Sequence, residues 1–156
     1  MPQFKKVIKR SLTPRRRARE YALQGVYQAL ILRRAGSLPN AEVIAVQLAE
    51  DPAFNRCHLD LFQGIFQGVL QRVDALEIII TPALDRPITE LSPVEPAALL
   101  IGAYELADDP SVPYKVAINE AVELAKIFGG TDGHKYVNGV LNLLAQSLRS
   151  AEIQAA

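Results

Sequence analysis

Apolar side chains recur along most of the chain at the three- and four-residue spacing of amphipathic α-helices. The clearest example lies in residues 113–144, where one apolar stripe precedes Gly129-Gly130 and a second stripe follows them. Proline suits the first turn of a helix, and glycine accepts the left-handed conformation in which many helices end. We therefore predict a helix that begins at Pro113 and ends in left-handed glycines, and then a second helix.

The start of that second helix carries candidate binding residues. Thr131 or Asp132 is the predicted N-cap, a residue whose side-chain oxygen accepts a free backbone N–H. Lys135 and Tyr136 then lie in the first turn, near the remaining free amides. A cation, an aromatic ring and exposed amides together suit a single-stranded nucleic acid. A packed helical hairpin with an ordinary cap explains the same residues, so both interpretations stay open.

Helices are also predicted in the N-terminal half of the chain. Thr13-Pro14 is typical of a helix start, and Gly36 is typical of the position just beyond a helix end. Asn55 is the predicted cap of a long third helix, in which Gly64 and Gly68 share one face and allow another helix to approach closely. The predicted ranges are 13–80 for this N-terminal subdomain and 14–35, 38–50 and 55–76 for its helices.

The rest of the chain predicts a second helical subdomain after a proline-interrupted connector. Ser92-Pro93-Val94-Glu95 has the pattern of a capping box, in which the serine and glutamate side chains each bond a free amide. The β-branched run Ile78–Thr81 is too short to build a sheet, so we predict an all-α fold. The predicted ranges are 81–91 for the connector, 92–150 for the C-terminal subdomain and 151–156 for a tail.

The formal net charge is zero, but the charges are unevenly distributed. The first 19 residues contain eight lysines and arginines and no acidic residue, whereas the remainder contains nine basic and 17 acidic residues. Residues 1–12 read as a flexible basic tail. A basic arm on an acidic body predicts a polyanionic partner for the arm.

Four arginines, Arg15, Arg16, Arg17 and Arg19, occupy the first turn and a half of the first predicted helix. Cations at a helix N-terminus oppose the helix dipole, at a cost of about 0.3–1 kcal/mol per charge at low salt. Contacts with phosphates would reverse that cost, which makes these arginines candidate RNA-binding residues. A solvated basic face is the alternative interpretation.

Several other classes of site are not indicated. Cys57 is the only cysteine, which excludes an internal disulfide and suits a reducing compartment such as the cytoplasm. Two histidines without a ligand spacing do not predict a metal site. No segment has the roughly 18 consecutive apolar residues of a membrane span, and no secretory signal is recognisable. Phosphate-loop and nucleophile motifs are missing from the sequence, so neither an enzyme nor a cofactor is predicted.

Several stretches together resemble the NusB family of bacterial transcription antitermination factors. The resemblance covers nearly all of residues 13–149, and its last two stretches are the most specific. The matching stretches are RRRARE at 15–20 with Gln24 and Tyr27 downstream, Gly68-Val69, AYEL at 103–106, VPYKVAINEAVELAK at 112–126 and HKYVNGVLN at 134–142.

The resemblance implies about seven helices in two roughly perpendicular helical bundles. It also implies a non-catalytic, cytoplasmic protein that binds the boxA segment of nascent RNA together with the small-subunit ribosomal protein NusE. That complex joins RNA polymerase and suppresses premature termination, notably during ribosomal RNA synthesis.

The resemblance further implies roles for individual residues. The RNA-binding positions of the family map onto Arg15, Arg16, Arg17, Arg19, Tyr27, Asp132, Lys135 and Tyr136. Glu95 maps onto a glutamate linked with the NusE face. The sequence departs from the pattern at Ala83, where some relatives carry an aromatic residue that contacts RNA.

Two alternatives remain at this stage. NusB-like domains also precede the catalytic domain of RNA cytosine methyltransferases, where they position the substrate, although this chain ends after the helical bundle. The protein could instead be a helical protein-interaction scaffold, or a homodimer that hides its basic face. The sequence is compatible with either a monomer or a homodimer.

Overall fold

The computed structural model describes residues 12–155, so nearly all of the predicted basic tail, residues 1–12, lies outside the described residues. The predicted all-α fold is confirmed, since this part of the chain contains helices and no strand. No helix within residues 12–155 is both long enough and apolar enough to cross a membrane. The helices are α1 Pro14–Arg34, α2 Ala41–Ala49, α3 Leu59–Gln71, α4 Val73–Ile80, α5 Val94–Asp108, α6 Tyr114–Phe128, α7 Gly133–Leu148 and α8 Ser150–Ala155.

The ends of α1 follow the predicted signals. The Thr13 hydroxyl oxygen accepts the Arg16 N–H at 3.1 Å, and Pro14 occupies the first helical position. Gly36, at φ 81°, takes the left-handed conformation just beyond the helix. Local side-chain chemistry therefore fixes where this long helix begins and ends.

The predicted third helix is divided differently in the structure. Asn55 lies within a 3₁₀ turn, Pro52–Arg56, and the prediction that it caps the helix is wrong. His58 is the actual cap, because its Nδ1 accepts the Leu61 N–H at 3.1 Å after an extended Cys57 ends the turn. A break at Arg72 then separates α3 from α4, which contains the three isoleucines of the β-branched run, Ile78–Ile80.

Helix α5 joins the two predicted subdomains. It packs against α1, α3 and α4, which precede it in the chain, and against α6 and α7, which follow it. All of these helices share one continuous apolar core. Its predicted capping box is wrong, because Pro93, which has no capping side chain, directly precedes the helix. Residues 150–155, expected to lie in a tail or at its edge, form the short helix α8.

One of the two paired glycines of α3 makes the close contact that the sequence suggested. A Cβ atom at Gly68 would lie 2.3 Å from the Tyr104 ring of α5, whereas a Cβ atom at Gly64 would meet nothing within 4 Å. Gly68 therefore allows α3 and the α5 side chain to approach, while Gly64 has no such role.

We expect Gly68→Ala to lower the free energy of unfolding by about 1–3 kcal/mol, because the new methyl group overpacks the contact with Tyr104. Gly64→Ala is the matched control on the same helix. It should leave stability unchanged or raise it by up to about 1 kcal/mol, because alanine favours the helix. Urea denaturation of both variants measures the difference, and equal effects would contradict this explanation.

Candidate nucleic-acid interface

The N-terminus of α1 presents three of the four motif arginines toward the surface. Arg15 and Arg16 are exposed and Arg17 is partly exposed, and the first turn of the helix contains no acidic residue. Their positive charges add to the partial positive charge of the helix N-terminus. This end of α1 is therefore suited to bind a polyanion.

Arg19 differs from the other arginines of the motif because it is buried, with 3% of its surface exposed. Its Nε and Nη2 donate hydrogen bonds of 2.9 and 2.8 Å to the two carboxylate oxygens of Glu105, which is fully buried on α5. Burial alone would lower the pKa of Arg19, but the bonds and charges of Glu105 and nearby acids raise it overall. The structure thus gives Arg19 an internal role, joining α1 to α5.

A groove of about 380 Å³ lies between the start of α1 and the start of α6. Glu120 stands in it 3.5 Å from the Arg16 Nε and 3.9 Å from the Arg19 Nη1. Arginines and apolar residues thus share one concave surface, with a single carboxylate between them. The lining residues are Thr13, Arg15, Arg16, Arg19, Ser111, Val112, Pro113, Val116 and Glu120.

The α6 side of the groove is held by residues that the sequence analysis did not select. Arg149 Nε donates to the Leu106 carbonyl at 2.8 Å, at the end of α5. Glu152 on α8 accepts the Tyr114 N–H at 2.9 Å, at the start of α6. That bond, together with Arg149, lowers the pKa of Glu152. From sequence, the spacing of Arg149 and Glu152 predicts only an ion pair between them on one helix. The backbone groups that they bind lie about 40 residues away in the chain, so no local pattern indicates these bonds.

Tyr27 is buried in the core of the protein, with 8% of its surface exposed. It lies on the second half of α1, beyond the arginines of the first turns. The structure therefore does not bring this ring to the surface with Arg15, Arg16 and Arg17.

The corner between α6 and α7 differs from the prediction in its glycine conformation. Gly129 is extended, with φ −99° and ψ −175°, and only Gly36 among the described glycines has a positive φ. The predicted left-handed conformation is therefore wrong. Glycine fits here for a different reason, since a Cβ atom at Gly129 would lie 2.6 Å from the Ala125 carbonyl oxygen.

At this corner Asp132 precedes α7 but does not cap it with its side chain. Its carboxylate instead lies 3.4 Å from the Lys135 Nζ, and both side chains are about three-quarters exposed. This pair is therefore open to solvent and can rearrange when a ligand binds.

The Tyr136 side chain contacts the connector between the two halves of the chain. Its hydroxyl donates to the Asp85 Oδ1 at 2.9 Å and accepts the Asp85 N–H at 3.3 Å. Arg86 lies over the ring, with its guanidinium carbon 5.1 Å from the ring centre. Bonds from Arg86 and Tyr136 lower the pKa of Asp85, and burial raises that of Tyr136.

Local sequence patterns do not indicate Asp85 or Arg86, and the family resemblance marks only Ala83 in this connector. They lie 51 and 50 residues from Tyr136 in the chain, so no local pattern joins them. The connector does reach the corner, through Asp85 and Arg86 rather than through a ring at position 83.

Glu95 lies beside the same corner. A Cβ atom at Gly133, the first residue of α7, would be 2.8 Å from the Glu95 Oε1. The carboxylate therefore packs against a helix N-terminus, where a negative charge is favourable. Glu95 and Glu105 are ten residues apart on α5, so the corner and the arginine-lined groove are separated by about 15 Å along that helix.

Within residues 12–155, no group of three or more histidine, cysteine, aspartate and glutamate side chains is arranged to hold a metal ion. The charged and aromatic groups of the groove and of the corner at the start of α7 are cations, one aromatic ring and a few carboxylates. Such groups bind by charge and stacking.

The chain is similar in sequence to known transcription antitermination proteins. The transcription antitermination protein NusB of Thiobacillus denitrificans is 52% identical over 142 residues, which cover 91% of this chain and 94% of the relative. The protein of the same name from Bordetella pertussis is 53% identical over 142 residues, covering 91% and 92%.

The fold is also similar to that of a solved structure, T. maritima NusB. The TM-score is 0.72 at 26% sequence identity, with 88% of this chain and 94% of that chain covered. The model of the NusB family matches residues 16–146, which include the corner at the start of α7 and, apart from Thr13 and Arg15, the residues that line the groove. Because the family model, the closely similar relatives and the all-helical fold agree, this chain belongs to the NusB family.

Proposed function

We propose that this protein is a non-catalytic antitermination factor that binds boxA RNA through the exposed arginines of α1 and the corner at the start of α7. The observation that carries the proposal is the surface of Arg15, Arg16 and Arg17 at a helix N-terminus without acidic residues in its first turn. Phosphates would offset the unfavourable interaction of these cations with the helix dipole. The names of the similar relatives support a role in transcription antitermination.

The proposal divides the implied RNA-binding residues into two groups. The residues at the surface, where an RNA strand can reach them, are Arg15, Arg16, Arg17, Asp132, Lys135 and the partly exposed Tyr136. The other two basic or aromatic positions, Arg19 and Tyr27, hold α1 in the core, and their effect on RNA binding is indirect.

The second partner in the proposal is NusE, bound near Glu95. Because Glu95 packs against the first residue of α7, a protein that contacts it also lies beside the RNA-binding corner. NusE, bound there, raises the affinity of the protein for RNA, and by thermodynamic linkage RNA then raises the affinity for NusE by the same factor. The assembled complex then acts on RNA polymerase in the bacterial cytoplasm during transcription of ribosomal RNA operons.

The test is a titration of fluorescent boxA-like RNA with the protein, with and without NusE, at two salt concentrations. We expect binding that discriminates against a scrambled RNA, tightens with NusE and weakens as salt rises. Failure to bind either RNA or NusE at micromolar concentration would overturn the proposal and favour a scaffold or a dimer, which sedimentation at several concentrations detects.

We expect Asp132→Asn to strengthen RNA binding severalfold. Asp132 repels phosphate and pairs with Lys135, and its removal leaves that cation available to the RNA; exposed charges contribute up to about 1 kcal/mol. Asp60→Asn, an exposed aspartate in the first turn of α3, is the control. The same RNA titration measures both variants, and equal or weaker binding by Asp132→Asn would count against this role.

A further inference from the structure

The Tyr136 ring has a partner above it within the protein itself. Arg86 covers the ring, and the Arg86 Nε and Nη2 donate to the two carboxylate oxygens of Asp85 at 2.9 and 3.3 Å. Asp85 in turn is bonded to the Tyr136 hydroxyl through both its carboxylate and its N–H. One aspartate therefore fixes the guanidinium and the ring relative to each other.

The Arg86 side chain is open enough for a ligand to contact its guanidinium while it stays over the ring. Half of the Arg86 side chain is exposed, although one side of it lies on the ring. Tyr136 is partly buried against the core, which supports the stack from below. A guanidinium plane is a good stacking surface for an unpaired nucleic-acid base.

We propose that Arg86 is an RNA-binding residue, and that one unpaired base stacks on the outer face of its guanidinium, above the Tyr136 ring. This inference rests on the proposed function and adds a contact from the connector. Some members of the family carry an aromatic ring at the position of Ala83. Arg86, three residues further along the connector, supplies a planar group in this protein. The layers of the site are the base, then Arg86, then Tyr136.

The charge of the cluster favours a base over a phosphate at this position. Asp85 is 65% exposed and bonded to Arg86, so its negative charge offsets the arginine and repels phosphate. Direct stacking of a base on the face of Tyr136 that Arg86 covers would require Arg86 to leave the ring. Stacking on the outer face of Arg86 keeps all of these contacts.

The test uses boxA-like RNA in which 2-aminopurine replaces one base at a time, because stacking quenches the fluorescence of this base. We expect wild-type protein to quench at one position. Arg86→Lys keeps the charge but loses the plane, so it should lose that quenching and bind about tenfold more weakly, with an unchanged salt dependence. Arg33→Lys, a change in another exposed aspartate-paired arginine, should retain both.

The remaining outcomes separate this inference from the proposed function. Normal quenching and affinity in Arg86→Lys and Arg86→Ala, alongside weak binding by variants of Arg15, Arg16 and Arg17, would overturn the inference and leave the proposed function in place. Tighter binding by Arg86→Ala would overturn it as well, because Arg86 would then compete with the base for the ring. Wild-type protein that binds no RNA would overturn both. Melting temperatures confirm that the variants are folded.

Discussion

Glu105→Ala is expected to lower the free energy of unfolding by about 3–5 kcal/mol, the largest stability loss that we expect from a single side chain here. The variant leaves the Arg19 guanidinium buried without the carboxylate that accepts two of its hydrogen bonds. Desolvation of the remaining cation is then offset only by Glu120, whose carboxylate lies 3.9 Å from the Arg19 Nη1 and does not replace the two lost hydrogen bonds. Urea denaturation, followed by circular dichroism, measures the loss.

A double variant distinguishes two causes of the stability loss in Glu105→Ala: the unpaired buried charge of Arg19, and the cavity left by the Glu105 side chain. Arg19→Met with Glu105→Leu removes both charges and keeps apolar volume, so it should recover most of the stability lost in Glu105→Ala. No recovery would show that the packing of the two side chains, and not their pairing, stabilises the contact between α1 and α5.

Arg19 is the arginine of the motif whose position and partner were not predicted from the sequence. Four arginines within five residues predicted one basic surface, and three of them do lie at the surface. The fourth lies three residues before the buried Ala22 and four before the buried Leu23, so the helical period already places it on the inward face. Its partner, Glu105, is 86 residues away, which no local pattern could supply.

The fold was more accessible from sequence than the site. Helical periodicity and local signals such as Thr13 and Gly36 depend on neighbouring residues, and they located α1 and the all-α class correctly. The capping box at Ser92 failed because Pro93 directly precedes α5 and provides no capping side chain. The Arg86–Tyr136 contact required the connector to fold back on α7, which is a tertiary event.

Replacement of Arg15, Arg16 and Arg17 together by glutamine is expected to produce the largest loss of RNA binding. Each arginine–phosphate contact with a single strand contributes about 0.7 to the slope of log affinity against log salt, so the slope should fall by about 2. Affinity at low salt should fall by more than about tenfold. RNA titrations at several salt concentrations measure both quantities.

The same triple variant should remain fully stable, which separates these arginines from Arg19. Removing cations from a helix N-terminus relieves an unfavourable interaction of about 0.3–1 kcal/mol per charge at low salt, although the Arg16–Glu120 pair offsets part of that gain. The melting temperature should therefore not decrease, whereas Arg19→Gln should lower it because it breaks the buried pair with Glu105.

The control for this variant is a second triple glutamine variant, at Arg33, Arg72 and Lys126. These residues form at least partly exposed ion pairs with Asp74, Asp108 and Glu123, and their replacement changes the net charge by the same amount. If binding depends on the position of the arginines at the N-terminus of α1, the control should retain its affinity and salt slope. Equal losses in both variants would mean that RNA responds only to the overall charge of the protein, and the arginine motif would then have no specific role.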